Sequence, residues 1–445
     1  MSALLMITST STTQPETKTK DQTHKETTIS SAKAQLRPYW ITKPWPSVPK
    51  HLLKLSTNSS TSTNCQILTS TTAPISIKIF QTNYEYNSRP GLFSNLMTDW
   101  ASMTSRPWTL THLSKRLGPS RSFQVGDDIN GDTVSITLAD YIRYENSNTD
   151  RNPFIVFDSV IIECLNNETN ELNHSSNYSS NHSPNHSPNH SPNPSPNHSI
   201  NLKSDFTIPN IFKIDDFLNV LEQDIRPPYQ WLLFGPINSG SPIHTDPMST
   251  HAWNALISGA KHWVFFHPDT PSHLLTTNTL DVVQENQHDD DGSANDSKDI
   301  DRSDLWDDVY GWFHCQLDDI KQNVNDYFEQ MAVEEKGTDN DNEQNQIVRC
   351  MECIQKPGEI IFVPSMWFHA VLNVKASIAV TQNYCSRTNI NQVYNSMDDD
   401  ELKHQFQRKM NEGKCMKWND GTMQFDLIQM ENYQQKQQQK SDGCK

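Results

Sequence analysis

The sequence predicts a single, mainly β core with flanking helices, interrupted by segments that do not pack. Hydrophobic residues make up 34% of the 445 residues, whereas average globular domains contain roughly 45–50%. Runs that alternate between large apolar and small or polar residues, such as residues 377–381, are typical of strands with one buried face. Because repetitive polar tracts separate these runs, we expect one ordered core of about 250–280 residues rather than two or three domains.

Composition divides the chain into three parts. Residues 1–72 are rich in Ser, Thr, Gln and Lys and predict a low-complexity region. Residues 73–395 contain the apolar runs and predict the folded unit, with its main strands at residues 230–384. Residues 396–445 predict a charged amphipathic helix followed by a tail rich in Gln and Lys.

Two polar insertions interrupt the folded unit, and we expect most of both to be disordered. The first, residues 166–204, contains an Asn-His-Ser-Pro repeat of period four, and proline at every fourth position excludes a regular helix or sheet ladder. The second, residues 282–346, has ends rich in Asp and Asn. Its middle contains several aromatic residues at 306–313 and predicts a helix over 317–328, where apolar residues recur at helical spacing.

The segments before the main strands predict a layer of short helices and strands. Its clearest helix, Trp108–Gly118, has Thr109 or Thr111 as the N-cap and ends at the glycine. An Asn-Gly dipeptide predicts a tight turn between two strands. The predicted elements are a strand at 75–80, the helix at 108–118, strands at 123–125 and 134–137, a helix at 138–144, a strand at 154–157, a helix at 208–221 and a strand at 230–234.

Three side chains form a candidate metal site. His244 and Asp246 are two residues apart, so on an extended strand both point to the same side. His369 lies at the centre of a second apolar stretch, far along the chain. Two histidines and one carboxylate suit a metal ion with open coordination positions. The alternative, from the residues alone, is a surface histidine hydrogen-bonded near an aspartate.

A lysine on an apolar ribbon is the second feature. Ser258-Gly259 predicts a two-residue hairpin turn between apolar runs. In that hairpin Asn254 would pair with Trp263, and Asn254 and Lys261 would share one face. A buried ammonium is costly unless it meets an anion, so this pattern favours an anionic ligand. The alternative is a surface lysine of which only the stem is buried.

Thr381 belongs to a strand with two different faces. Thr381 and Ala379 face one way, and Ile378 and Val380 the other. A hydroxyl on the face of small residues suits a ligand cavity, and the alternative is an ordinary strand threonine.

Several motifs, in a fixed order along the chain, resemble one family. They read HTDP, HAWNALISGAKHWVFFHP, KPGEIIFVPSMWFHAVLN and SIAVTQN, preceded by RPWTLTHLSKRLG and FQVGDDINGDTV. They are similar to the Jumonji-C class of iron and 2-oxoglutarate oxygenases, and within it to the bifunctional arginine demethylase and lysyl-hydroxylase subgroup, once called the phosphatidylserine receptor. The resemblance covers roughly residues 88–393 apart from the insertions. It implies a double-stranded β-helix, that is, a cupin or jelly-roll barrel, at residues 230–384. It also implies a covering strand over 306–313, where the family has an aromatic segment.

The resemblance also implies the roles of six residues. The residues that would bind Fe(II) are His244, Asp246 and His369. The residues that would hold the co-substrate 2-oxoglutarate are Asn254, Lys261 and Thr381. One position departs from the subgroup, because Ile155 stands where a tyrosine is expected and one hydroxyl contact to the co-substrate is lost. No catalytic side chain beyond the metal ligands is implied, because the cofactor carries the oxidative chemistry.

By this resemblance the chain is an enzyme that hydroxylates protein side chains, chiefly lysine, with demethylation of methyl-arginine as a second activity. Its partner would be a protein substrate rich in Lys and Arg, which the acidic insertions are suited to attract. The C-terminal helix, by the same resemblance, implies a homodimer. Two alternatives stay open: a catalytically silent binding module with this fold, and a cupin that uses another metal without 2-oxoglutarate.

Charge and cysteine content disfavour other classes. The formal net charge of −17 disfavours direct binding to a nucleic-acid backbone. Eight cysteines without a secretion signal predict reduced thiols, and the single Cys-x-x-Cys at 350–353 predicts strand packing rather than a zinc site. No apolar run reaches the length of a membrane span, so we expect neither a membrane partner nor secretion. The resemblance implies the nucleus, with the cytoplasm as the alternative.

Overall fold

The computed structural model describes most of the folded unit and a few neighbouring segments. The described residues are 29–36, 65–127, 133–148, 150, 153–159, 202–213, 215–222, 225–276, 309–335, 348–413, 416–419, 422 and 424–427. The Asn-His-Ser-Pro repeat, the tip of the Asn-Gly turn, the acidic ends of the second insertion and the Gln/Lys tail lie outside the described residues. What the sequence predicts for them therefore stays a prediction.

A layer of short helices and strands precedes the main strands. Its elements are α1 (Ile29–Leu36), β1 (Gln66–Ile67), α2 (Ile77–Phe80), β2 (Gly91–Phe93), α3 (Leu110–Leu117), β3 (Ser122–Asp127), β4 (Thr133–Thr137), α4 (Leu138–Ser147), β5 (Val156–Asp158) and α5 (Asn210–Lys213). The predicted N-cap of α3 is confirmed, since the Thr109 hydroxyl accepts from the His112 backbone N–H. β3 and β4 pair antiparallel, and α4 follows as predicted.

Two predictions for this layer are wrong. The strand expected at 75–80 is instead α2, because the Ser76 hydroxyl accepts from the Ile79 N–H and starts a helix. The single helix expected at 208–221 is broken into α5 and a separate 3₁₀ turn at Phe217–Val220. The buried Asp216 accepts from the Leu218 N–H, and this side-chain cap begins the second turn afresh.

The remaining elements form the barrel, its outer helices and a C-terminal unit. They are β6 (Gln230–Gly235), β7 (Gly240–His244), β8 (His251–Phe266), α6 (Val309–Gly311), α7 (Leu317–Glu335), β9 (Cys350–Gln355), β10 (Ile360–Val363), β11 (Phe368–Tyr384), α8 (Ile390–Asn395), α9 (Asp400–Gly413), β12 (Met416–Asn419) and β13 (Gln424–Leu427). The charged helix predicted near the C-terminus is confirmed as α9, whereas the β12–β13 hairpin was not predicted.

The barrel is built on two long antiparallel strands, β8 and β11. The first half of β8 also pairs with β10 and its second half with β9. The start of β11 pairs with β7 and its end with β6. Side chains from both halves of β8, Ala252 and Trp263 among them, meet Ile361 and Val371 in one buried cluster. The halves of the sheet therefore face each other, and the predicted mainly β fold with flanking helices is confirmed.

The centre of β8 carries a bulge where the sequence predicts a hairpin. The strand continues through 258–259 and stays paired with β11 on both sides, so the predicted pairing of Asn254 with Trp263 is wrong. The register with β11 shifts by one residue across this point. Such a shift moves side chains to the opposite face. Asn254 and Lys261 therefore do face the same interior, although a bulge and not a turn puts them there.

Gly259 explains why a turn signal occurs inside a strand. Its φ of 98° lies in the left-handed region, and a Cβ atom there would lie 2.3 Å from the Ala376 carbonyl oxygen and 2.4 Å from the Ser377 hydroxyl. The glycine therefore serves the bulge and the close approach of β11 rather than a reversal of the chain.

The middle of the second insertion forms helices on the outer face of the barrel. α6 continues through a π-helical turn, Trp312–Gln316, into α7, which confirms the predicted helix. The covering strand expected over 306–313 is wrong for its described residues, which are helical, because Trp312 and Phe313 pack against outward side chains of β8 such as Phe266. The Lys321 ammonium donates to the Glu352 carboxylate at 2.7 Å and ties α7 to β9.

A disulfide joins the first strand to the barrel. β1 pairs parallel with β9 and brings Cys65, just before β1, beside Cys350, and the two are bonded. The prediction of reduced thiols is therefore wrong for this pair, although Cys350 does lie in a packed strand as expected. Among the described residues, Cys315, Cys353 and Cys385 are free. None of the described helices is long and apolar enough to span a membrane.

Candidate metal centre

The three predicted metal ligands meet at one end of the barrel. His244 ends β7 and lies directly opposite His369, the second residue of β11. Asp246 follows β7 by two residues, and Pro247 then starts a 3₁₀ turn that leads the chain away. Strand pairing thus brings together residues that lie far apart in the chain.

The ligand atoms of these three residues lie within 4.8 Å of one another. The His369 Nε2 is 3.9 Å from the Asp246 carboxylate, and the two imidazole rings have centroids 4.2 Å apart. Across the described residues, no other group of three or more His, Cys, Asp or Glu side chains comes this close. The geometry suits one ion held between the three side chains.

Each imidazole is oriented by the backbone carbonyl of the residue two positions before it in the chain. The His244 Nδ1 lies 2.7 Å from the Pro242 carbonyl oxygen, and the His369 Nδ1 lies 3.0 Å from that of Trp367. Because a carbonyl only accepts, both Nδ1 atoms donate and both Nε2 lone pairs are free to bind a metal. Burial lowers the pKa of both histidines to about 4, so both rings are neutral near pH 7.

One oxygen of the Asp246 carboxylate, Oδ2, is buried and lacks a hydrogen-bond partner among the described residues, and burial raises the pKa of the group. A buried carboxylate oxygen without a partner is costly, and a bound cation would remove that cost. Two neutral imidazoles and one carboxylate therefore fit a divalent metal of the Fe(II) type.

Lys261 lies deeper in the barrel, opposite Asn373 of β11. It is 3% exposed, and its Nζ donates to the Asn373 Oδ1 at 3.0 Å. Burial lowers the pKa of the ammonium to about 8, and no acidic group of the described chain lies close enough to affect that pKa. A buried cation with a neutral partner is a site for an anion.

The other two predicted co-substrate residues lie opposite each other on β8 and β11. Asn254 is buried, and its side-chain Oδ1 makes no hydrogen bond within the described part of the chain. Thr381 donates its hydroxyl to the Trp253 carbonyl at 2.9 Å, so it accepts from a ligand as it stands and donates only after rotating. Ile155, at the position of the expected tyrosine, is half-buried and offers no polar group.

Sequence reasoning missed two residues of this interior. Asn373 binds the ammonium of Lys261, and the Trp263 ring stacks on His369 with a centroid distance of 6.0 Å. Strand periodicity offered a signal, because Asn373 lies four residues after His369 and therefore on the same face of β11. The same signal existed for Trp263, which lies two residues after Lys261 and therefore on the same face of β8.

Hydrogen bonds also join the two loops that carry the ligands. The Ser365 backbone N–H donates to His251 Nδ1 at 2.8 Å, and its hydroxyl donates to the Ser249 carbonyl at 2.7 Å. Ser249 and Met366 have left-handed φ angles of 52° and 67°. Backbone strain of this kind is kept only where the surroundings enforce it, and these bonds supply part of that support.

Comparison with known proteins points to one family. A family model described as a cupin-like domain matches residues 77–390. The chain is 27% identical over 320 residues, 72% of its length, to the bifunctional arginine demethylase and lysyl-hydroxylase psr-1 of Caenorhabditis elegans. It is 29% identical over 71% of its length to the arginine-specific demethylase JMJ22 of Arabidopsis thaliana. It is 25% identical over 43% of its length to the 2-oxoglutarate and iron-dependent oxygenase JMJD4 of Mus musculus.

These relatives are longer than the part that is matched. The chain covers 61% of the Caenorhabditis elegans protein, 46% of the Arabidopsis thaliana protein and 34% of the Mus musculus protein. The residues that the family model matches, 77–390, include the barrel and all six predicted site residues.

Proposed function

The chain belongs to the cupin-like domain family, and from this premise we propose that it is an Fe(II)- and 2-oxoglutarate-dependent dioxygenase that hydroxylates protein side chains. The resemblance to Jumonji-C oxygenases is borne out by the family model and by the names of the relatives. The observation that carries the proposal is a two-histidine, one-carboxylate cluster that shares its barrel with a buried lysine lacking an acidic partner.

His244, Asp246 and His369 are the proposed ligands of Fe(II). The bound ion would accept the two Nε2 lone pairs and the Asp246 carboxylate and keep further positions open for small molecules. With 2-oxoglutarate and dioxygen, it would supply an oxidation in which one oxygen atom enters succinate, with loss of carbon dioxide, and the other enters a C–H bond of the substrate.

The barrel wall holds the co-substrate. The Lys261 ammonium is the proposed partner of the distal carboxylate of 2-oxoglutarate. Asn254 would form a further hydrogen bond to it, and Thr381 would donate to it after its hydroxyl turns away from the Trp253 carbonyl. Trp263 and Phe265 stack against the His369 ring, at centroid distances of 6.0 and 6.3 Å, and keep water from the inner side of the metal site.

The proposed substrate class is protein side chains in basic segments. The psr-1 protein is named for arginine demethylation and lysyl hydroxylation, and JMJ22 for arginine demethylation. We place lysine hydroxylation first and methyl-arginine demethylation second. The net charge of −17 complements a Lys- and Arg-rich partner. A homodimer and residence in the nucleus belong to the same proposal.

The direct test is succinate formation from 2-oxoglutarate by the purified full chain, with Fe(II), ascorbate and a pool of Lys/Arg-rich peptides. Turnover should require peptide, disappear in His244→Ala and Lys261→Ala, and be blocked by N-oxalylglycine. A peptide product heavier by one oxygen atom would identify hydroxylation, whereas formaldehyde would identify demethylation. Failure of the protein to bind either Mn(II) or 2-oxoglutarate would contradict the proposal and favour a silent binding module.

A further inference from the structure

We propose that Asn373 is a positioning residue that aims the Lys261 ammonium at the distal carboxylate of the co-substrate, and thereby sets the preference of the site for a dicarboxylate over a monocarboxylate. Ser239 fixes the orientation of Asn373 for this task. The inference deepens the proposed function and rests on it.

The contact between Asn373 and Lys261 is direct and buried. The two residues are paired across β8 and β11, and the Lys261 Nζ donates to the Asn373 Oδ1 at 3.0 Å. Asn373 is fully buried. A neutral amide oxygen uses one of the three ammonium hydrogens and leaves the positive charge uncompensated. An acidic residue at the same place would instead have formed an ion pair with Lys261 and neutralised its charge.

The amide of Asn373 is held in one orientation by a loop next to the barrel. Its Nδ2 donates to the Ser239 hydroxyl at 2.8 Å, and that hydroxyl donates its own hydrogen to the Pro236 carbonyl at 2.6 Å. Because the Ser239 hydrogen is already used, Ser239 can only accept from Asn373. The NH₂ group must then face Ser239, and the oxygen must face Lys261, so the orientation follows from the network itself.

Backbone hydrogen bonds fix Asn373 in the same loop. The Asn373 N–H donates to the Ser239 carbonyl at 2.7 Å, and the Asn238 N–H donates to the Asn373 carbonyl at 2.8 Å. Gly235 leaves room for the network, because a Cβ atom there would lie 2.3 Å from the Ser239 hydroxyl and 2.8 Å from the Asn373 Nδ2. The loop therefore helps to fix the position of the Lys261 ammonium, through the hydrogen bond from Asn373 to Ser239 and the one from Lys261 to Asn373.

The competing explanation is that Asn373 only holds the loop. In that case the contact with Ser239 matters for stability and the contact with Lys261 is incidental. The two explanations differ in what they predict for ligand preference. A structural role predicts equal losses for every ligand, whereas a positioning role predicts a loss confined to ligands with a distal carboxylate.

The test is isothermal titration calorimetry on the full chain at pH 7 with Mn(II), using 2-oxoglutarate and 2-oxovalerate, which has a methyl group in place of the distal carboxylate. In Asn373→Asp, the added carboxylate should pair with Lys261 and weaken 2-oxoglutarate binding by about tenfold or more. Binding of 2-oxovalerate and of Mn(II) should stay within about twofold. Asn210→Asp, the same change at an exposed position of α5, should leave the binding of both ligands unchanged.

Ser239→Ala provides a second, milder variant. It frees the amide of Asn373 to turn, and the preference for 2-oxoglutarate over 2-oxovalerate should fall by about threefold to tenfold. This variant decides the matter if Asn373→Asp does not fold. An unchanged preference in a folded Asn373→Asp, or in Ser239→Ala when the first variant is unfolded, would overturn the inference.

The wild type and Lys261→Ala separate this inference from the proposed function. If the wild type does not bind 2-oxoglutarate with Mn(II), the proposed function fails and the inference with it. A second outcome is that the wild type binds 2-oxoglutarate, that Lys261→Ala loses the preference for the dicarboxylate, and that Asn373→Asp keeps this preference. In that case only the inference about Asn373 is wrong.

Discussion

At the scale of single residues, the interior of the barrel holds two charges that the protein itself does not neutralise. The Asp246 carboxylate has a buried oxygen without a partner, and the Lys261 ammonium has a neutral one. Both arrangements lower the stability of the ligand-free protein. Residues that lower stability in this way are typical of binding sites, where the ligand removes the cost.

The first prediction concerns pH. Burial lowers the pKa of Lys261 to about 8, so the ammonium that we propose to bind the co-substrate is present below that pH and is lost above it. The Kd for 2-oxoglutarate should be constant between about pH 6.5 and 7.5 and rise above pH 8, by at most about tenfold per pH unit. Calorimetry with Mn(II) across this range measures the effect.

Lys261→Arg is the control for that prediction, because a guanidinium stays charged throughout the range. Its Kd, whatever its absolute value, should not depend on pH up to about 9. The two histidines of the candidate metal centre, with pKa values of about 4, do not titrate in this window. An equally steep rise in Lys261→Arg would assign the pH dependence to another group.

The second prediction concerns the carboxylate. Asp246→Asn removes a buried charge, so the metal-free variant should be as stable as the wild type or more stable, by about 1–2 kcal/mol. The wild type should gain thermal stability when Mn(II) is added, and the variant should gain none. Differential scanning calorimetry with and without Mn(II) tests both statements. A metal-free variant that is less stable than the wild type would contradict the prediction.

At the scale of elements, the bulge in β8 decides which side chains of this strand face the interior of the barrel. Without the one-residue shift, Lys261 would point outward together with Trp263 and Phe265, to the side on which α6 and α7 pack. Gly259 permits that shift, since it combines a left-handed φ with the close approach of β11. The placement of the buried Lys261 ammonium inside the barrel therefore depends on the backbone conformation of a single glycine.

The third prediction follows from that glycine. Gly259→Ala should lower the free energy of unfolding by about 3 kcal/mol or more, because a Cβ atom would overlap the Ala376 carbonyl as well as strain the backbone. Gly118→Ala is the matched control, since Gly118 has a φ of 87° but no atom within 4 Å of a Cβ. It should cost about 1 kcal/mol. Urea denaturation at constant m measures both, and equal losses would contradict the role of the close approach.

Local patterns predicted elements well where the local chain decides them. The cap at Thr109, the alternation at 377–381 and the helical spacing in α7 all reappear in the structure. They failed at Ser76 and at 258–259, where one side-chain hydrogen bond or one neighbouring strand overrides the pattern. The candidate ligands were proposed from motifs. Local periodicity places Asn373 on the face of His369, but its contact with Lys261 depends on the register between β8 and β11, which no local pattern contains.

At the scale of the whole molecule, a covalent bond links a segment ahead of the folded unit to the wall of the barrel. Cys65 and Cys350 join β1 to β9, while the boundary suggested by composition lay at residue 72. Residues 65–72 therefore belong to the fold, because their backbone pairs with β9 and β2 even though their composition is polar.

The fourth prediction concerns this bond. Reduction should lower the free energy of unfolding of the wild type by about 2–5 kcal/mol, since the open chain gains conformational freedom. Cys350→Ser should show the lower stability under both oxidising and reducing conditions. Cys315→Ser, at an exposed free cysteine, should behave like the wild type. Equal stability of oxidised and reduced wild type would show that the bond contributes nothing.

The carbonyl groups that orient the two histidines have a consequence for how the sequence can vary. The residues two positions before each ligand, Pro242 and Trp367, provide this support through main-chain atoms. A substitution can remove a side chain but not a carbonyl, so point mutation cannot delete these two contacts while the strands stay in register. Substitutions of Pro242 and Trp367 should therefore leave the orientation of the two histidines unchanged, as long as β7 and β11 keep their register.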